Sequence, residues 1–305
     1  MRSLYARWDS FWFQSPAQKQ GIVFRFLVGF MLFFYFISRS FDLEDFYSDR
    51  GLLMLSNLAE VISPYALYSV FTVLKGTFWL WFCHILLLGS LLGMALGVYP
   101  RLLAFVAFLL HLSFLHRNPV VAYGVDSVAT YFLLYLSFAD ADPSARGYRR
   151  IFNSLFLRLT QVQVCIIYFY SGILKLSGTH WWRGEAVWDV LMNPALARWD
   201  FSALGSYPAL LAVSNYVILF WEIYFPVLVW SQSLRRPMLL LGGVLHLGIG
   251  VALQLPYFAG LMMVSYVLFF TSQEMDWLHH QLKKIIPFSA NRPQVLPCST
   301  DEIIV

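Results

Sequence analysis

Charge is what this sequence has least of. Only 12% of its 305 residues are Asp, Glu, Lys or Arg, where a soluble domain carries roughly 25%. A chain so short of charge cannot cover itself with groups that water solvates, which argues against a soluble protein. Cysteine is scarce as well. Cys83, Cys165 and Cys298 stand far apart with no CxxC pair, so neither a disulfide framework nor a cysteine zinc site is supported. His84 and His111 lack a second histidine or glutamate at ligand spacing, and no metal site is expected. Nucleotide-binding loops, serine-hydrolase elbows and zinc-protease motifs are missing, which argues against a standard soluble enzyme site. The net charge of +4 gives no reason to expect a nucleic-acid partner. The first 20 residues are polar and aromatic, and no small-residue cleavage site follows the first apolar run. The first span is therefore expected to stay attached as an anchor.

Apolar residues make up 59% of the chain and aromatic residues 18%, with 11 Trp. The mean hydropathy is +0.63. Eight apolar segments stand out, at about 21–38, 78–97, 101–115, 125–139, 160–176, 208–230, 237–254 and 257–271. A spanning helix needs roughly 20 apolar residues, so the third, fourth and eighth are short. The stretch 64–74 is amphipathic and reads as interfacial. The expected fold is an all-α polytopic membrane protein of about eight helices in one bundle. It divides into an N-terminal segment 1–20, a transmembrane domain 21–271 and a short polar tail 272–305.

Three connections are chemically distinct. Residues 39–77 read as a long acidic loop, 140–159 as a basic one with Arg146, Arg149, Arg150 and Arg158, and 177–207 as a tryptophan-rich one. Of the 21 Lys and Arg, 13 fall on the N-terminal side of the bilayer, 7 on the other and Arg25 within the first span. The positive-inside rule then puts both termini in the cytoplasm of a cell (inner) membrane and turns the acidic and tryptophan-rich loops outward.

Polar residues inside spans are expensive and are candidates for function. On the fifth segment, Gln161, Cys165, Tyr168, Ser171, Gly172 and Lys175 recur at three- and four-residue steps and share one helix face. Lys175 reads either as a general base in apolar surroundings or as a snorkelling lysine at a helix end. On the seventh, Gly242, His246, Gly250 and Gln254 share a face; His246 lines a cavity or bonds across two helices. On the sixth, Glu222 needs a partner, with Arg25, His246 or His111 as the choices. The small residues Gly89, Gly93 and Gly97 read as a packing face. Between the third and fourth segments lie Arg117, Asn118 and Asp126, the last placed to cap a helix N-terminus.

Four stretches, in order, resemble the HTTM family, the membrane domain shared by vitamin K-dependent gamma-carboxylases and many bacterial proteins. They are VFRFLVGFMLFFYFISR with FYSDRG, RNPVVAYGVDS, YFYSGILKLSGTHWWRGEAV, and LHLGIGVALQLPYFAGLMMVSYVLFF, together spanning about residues 20–270. The resemblance implies that Lys175 is the base that deprotonates a reduced, vitamin K-like quinone. His246 would be a cavity residue, with Tyr168, Ser171, Asp126, Asn118, Arg117, Glu222, His180 and Trp181 in support. Two departures argue against glutamate carboxylation itself. The carboxylases' large soluble domain has no counterpart here, and they use a histidine near the position of Asp126, whose ionised carboxylate cannot donate a hydrogen bond. Short bacterial members mature a secreted peptide, as in sporulation-delaying toxin systems, or accompany thiol–disulfide oxidoreductase-like proteins. The first expectation is a quinone- or lipid-binding membrane enzyme. The second is a non-catalytic factor for maturation, export or immunity of such a peptide. A transporter ranks third, because no inverted repeat or pair of broken helices is visible.

Overall fold

A computed structural model describes residues 3–13, 18–52, 69–139 and 146–285. Among these residues the regular structure is entirely helical. The helices are α1 (Leu4–Phe13), α2 (Gln18–Ser38), α3 (Leu43–Tyr47), α4 (Thr77–Leu96), α5 (Pro100–Arg117), α6 (Gly124–Leu136), α7 (Tyr148–Leu176), α8 (Thr179–Arg183), α9 (Ala186–Met192), α10 (Pro208–Leu228), α11 (Arg235–Ala252), α12 (Pro256–Ser265) and α13 (Ser272–Ile285).

Each of the eight apolar segments is helical, as α2, α4, α5, α6, α7, α10, α11 and α12. Among the described residues, four stretches are long and apolar enough to cross a membrane: Lys19–Tyr47, Thr77–Leu96, Tyr148–Leu176 and Pro208–Leu228. Gly124–Leu136 is short, as is α12 with the 3₁₀ turn that extends it to Phe269.

Local chemistry sets the boundaries. Gly97 ends α4 in a left-handed conformation, and the N–H of Val98 returns to the Gly93 carbonyl; this is a glycine C-cap. Pro100, Pro208 and Pro256 occupy first turns, where the missing N–H costs no helix bond. α2, α4, α5 and α6 pack as one group and α7, α10, α11 and α12 as another, joined where α12 meets α2 and α6 and where α6 meets α7. The surface is apolar where a soluble protein would be charged. On α11, Leu240, Val244, Leu247 and Val251 lie exposed along one side, and on α2 Phe26, Phe30 and Phe34 do the same. Contiguous exposed apolar stripes of this kind are compatible with a lipid surround.

Three expectations need correction. Residues 148–159, read as part of a basic loop, are the first three turns of the 29-residue α7. Asn153, Ser154 and Leu157 are buried there and Arg101 donates to Asn153 Oδ1 at 3.0 Å, so partners inside the bundle hold the polar turns helical. The tryptophan-rich connection is not an open loop but folds into α8, α9 and a 3₁₀ turn at Ser202–Ser206. Gln254 does not share the face of His246: α11 ends at Ala252 and Gln254 adopts φ of 53° ahead of Pro256. The interfacial stretch 64–74 and the acidic loop lie partly outside the described residues. The described end of that stretch holds a 3₁₀ turn, Val70–Thr72, with Phe71 buried against Phe114.

Candidate functional site

The polar face of α7 turns inward. Gln161, Cys165, Tyr168 and Gly172 are buried and Ser171 and Lys175 are half-buried. α7 meets α10 closely at Gly172, where an added Cβ would lie 2.9 Å from Ile223 Cγ1 and 3.2 Å from Glu222 Cβ. That close approach brings Lys175 onto Glu222. The lysine Nζ donates to both carboxylate oxygens at 2.8 Å and to Ser171 Oγ at 2.6 Å. Ser171 in turn donates to Glu222 Oε1 at 3.3 Å. The side chains of Lys175 and Glu222 are 23% and 12% exposed, so the cluster is shielded without being sealed. The Trp181 ring lies 5.3 Å from the ammonium, a cation–π contact. The partner of Glu222 is thus Lys175, and none of Arg25, His246 or His111, because α10 turns this face toward α7. Arg25 instead lies against Gly97 at the C-terminal end of α4.

Asn215, fully buried on α10, holds the tryptophan connection over this cluster. It donates to the Trp181 carbonyl at 2.7 Å and accepts from the Val187 N–H at 3.1 Å. His180 lies on the outside of the same connection, 2.7 Å from Asp189 and 3.7 Å from Glu185, with its side chain 60% exposed. It does not reach Lys175 by any hydrogen bond.

Two turns before Lys175, Tyr168 enters a second cluster. Its hydroxyl lies 2.8 Å from that of Tyr266 and 3.5 Å from His246 Nε2. His246 Nδ1 donates to the Gly242 carbonyl at 2.9 Å, which fixes the tautomer and leaves Nε2 as an acceptor. Trp221, Phe225 and Phe258 pack around the group. An added Cβ at Gly242 would strike Trp221 and Tyr266, so the space beside the histidine is filled by protein. His246 meets α7 at Tyr168, two turns before Lys175, and among the described residues no hydrogen bond joins it to the Lys175–Ser171–Glu222 cluster.

The third cluster centres on Asp126, which is buried at 2% exposure. Asp126 was expected as the N-cap of α6. Tyr123 holds that position instead, and Asp126, three residues on, accepts its N–H at 3.0 Å. The helix starts at Gly124, which packs closely against the Phe258 ring. The carboxylate also accepts from Tyr35 at 2.7 and 2.8 Å and pairs with Arg39 at 3.3 Å. Arg39 further bonds Tyr35 and Tyr47. Arg117 and Asn118 brace the neighbouring turn by donating to the carbonyls of Ser48 (2.6 Å) and Phe46 (2.7 Å). Sequence reasoning missed Arg39, Tyr35 and Tyr266. Tyr35 in the last turn of α2 and Arg39, which opens the 3₁₀ turn Arg39–Asp42 directly after it, stand four residues apart, a legible spacing, whereas Tyr266 is hidden in an apolar run. Among the described residues no group of His, Cys, Asp and Glu could hold a metal.

No family model matches the chain, and neither the curated proteins nor the solved structures contain a match to it.

Proposed function

We propose that this chain is a multi-pass membrane enzyme of the HTTM type, in which Lys175 takes a proton from an apolar hydroxyl-bearing substrate such as a reduced quinone. In this reading the eight apolar helices all cross a cell membrane, both termini are cytoplasmic and the Lys175 end of α7 faces outward. The observation that carries it is the Lys175–Ser171–Glu222 cluster. It is a lysine hydrogen-bonded to a proton acceptor inside an apolar bundle, half-shielded and roofed by a tryptophan ring. As an ion pair the cluster holds one proton more than a base can. Lys175 becomes a base when that proton passes along the 2.8 Å bond to Glu222 or out to water, and Ser171 keeps the amine aimed meanwhile. A flat ring would rest against Trp181, and Tyr168 with His246 would hold the helix face rigid below it.

A second reading, a non-catalytic factor that matures, exports or confers immunity to a secreted peptide, is favoured by the completeness of the ion pair. Lys175 and Glu222 neutralise each other as a packing pair would. Three variants separate the two. Lys175→Met should lower quinol-dependent oxygen uptake in detergent micelles by about 10²-fold or more, the range of a general base. The double variant Lys175→Met/Glu222→Gln removes the orphaned charge and should restore thermal stability but not turnover. If the double variant recovers turnover or peptide maturation together with stability, the pair is structural. Full activity in Lys175→Met alone refutes the catalytic role.

A further inference from the structure

Arg158 lies on α7 roughly 25 Å before Lys175, at 1.5 Å per residue, and so at the opposite end of the bundle. Its guanidinium donates to the Phe11 carbonyl at 3.0 Å and to Gln161 Oε1 at 2.8 Å, over the rings of Phe11 and Trp230. Among the described residues no carboxylate stands within ion-pair distance of it. It lines a cavity of about 210 Å³ together with Gln20, Gln161, Arg235 and Ser272, about seven times the roughly 30 Å³ share of one liquid water.

Two buried polar atoms nearby have no partner. Gln20, 2% exposed, spends its amide N–H on the Phe270 carbonyl and leaves Oε1 free, and Arg235 Nε is also unsatisfied. Glu274 is shared between Arg235 at 3.2 Å and Arg236 at 2.6 Å. Arg235 therefore shares its carboxylate with Arg236, and Arg158, on the same cavity, has none among the described residues. A partly buried cation without a counter-charge is costly, and a bound anion removes that cost.

Phe270 also lines an adjoining cleft of about 740 Å³ whose walls include Leu239, Leu240, Met263, Val267 and Trp277, with Arg236, Gln273 and Glu274 among its polar lining. A Cβ at Gly243, on the same wall, would meet nothing within 4 Å, so the glycine leaves room rather than serving a packed contact. Leu240 and Trp277 are exposed, which opens the cleft on the apolar side of the bundle.

We propose that cavity and cleft together bind one acidic phospholipid. The phosphate lies against Arg158 and Arg235, a headgroup hydroxyl donates to Gln20 Oε1, and an acyl chain runs into the cleft beside Gly243. The bilayer supplies all three chemistries in one molecule, and basic pockets between helices suit such headgroups. This assignment stands apart from any role for Lys175.

The test uses the full chain purified in detergent and titrated with short-chain phosphatidylglycerol, short-chain phosphatidylcholine or inorganic phosphate. Bound lipid is read by native mass spectrometry and Tm by thermal melting. Phosphatidylglycerol should bind and raise Tm, with at least tenfold weaker binding in Arg158→Gln. Gly243→Leu, which fills the cleft but leaves the arginines, should weaken phosphatidylglycerol to a similar degree. Equal binding of phosphatidylcholine, or inorganic phosphate raising Tm as much as the lipid, overturns the lipid assignment. Unchanged affinity in Arg158→Gln overturns the site, and if that variant fails to fold, full affinity in Gly243→Leu does so.

Discussion

Asp126 shows how far a single residue can be read from sequence. Its place near a helix start is plain from the run of residues, and it does accept an N–H there. Its pairing with Arg39 and Tyr35 is not legible, because those groups come from the end of α2 and the turn after it, some 90 residues away in the chain. The consequence is energetic. Asp126→Asn removes the charge that balances Arg39 while leaving that guanidinium 18% exposed. Breaking a buried pair from one side costs about 3–5 kcal/mol, and partial exposure of the arginine puts the expectation near about 3 kcal/mol. Denaturant unfolding in micelles measures it; unaltered stability would show that the pair contributes nothing. Glu222 teaches the same lesson. A buried carboxylate predicts that a cation must lie near it, but which cation depends on how two helices rotate against each other.

At the scale of elements, α13 is held by its first turn. Glu274 accepts from the Thr271 N–H at 2.7 Å, from the Thr271 hydroxyl at 2.9 Å and from both Arg235 and Arg236. Burial alone would push its carboxyl up, but these donors outweigh it and hold it down at about 2. An unfolded glutamate titrates near ~4.3. The attachment of α13 is therefore fully present above that pH and is lost as pH falls through about 2. Amide hydrogen exchange in α13 should be slow and flat from neutral pH to about 5 after correction for intrinsic rates, and should accelerate below ~4.3. Glu274→Gln should show the fast exchange at every pH, and a profile identical to the unaltered chain would remove Glu274 from the account. The sequence marked this helix as amphipathic; its anchoring to the start of α11 needed the fold.

For the whole molecule, the proposed topology makes a sharp expectation. Ser206 and Ser233 are both exposed and flank α10 at its two ends. With Cys298 replaced and Cys83 and Cys165 buried, Ser206→Cys in intact cells should react with a membrane-impermeant maleimide, and Ser233→Cys should react only after lysis. The reverse pattern would invert the orientation. Equal labelling of both before lysis would mean that α10 does not cross the membrane.

Apolar composition and the spacing of hydrophobic runs determined that the described residues are helical, where the eight apolar helices fall and that the exposed face is fit for lipid. Those properties are local or additive, and need no knowledge of neighbours. Tertiary structure alone decided that α7 extends three turns beyond its apolar stretch, that Lys175 meets Glu222, and that His246 is enclosed by Tyr168, Tyr266 and Trp221. The physical reason is that a polar side chain in an apolar bundle must be satisfied, and the periodicity of one helix says which way it points but not which helix it will meet. Gly172 and Gly242 illustrate the difference. The sequence places each on a polar helix face, and each becomes, once two helices close over it, the position that sets which side chains touch.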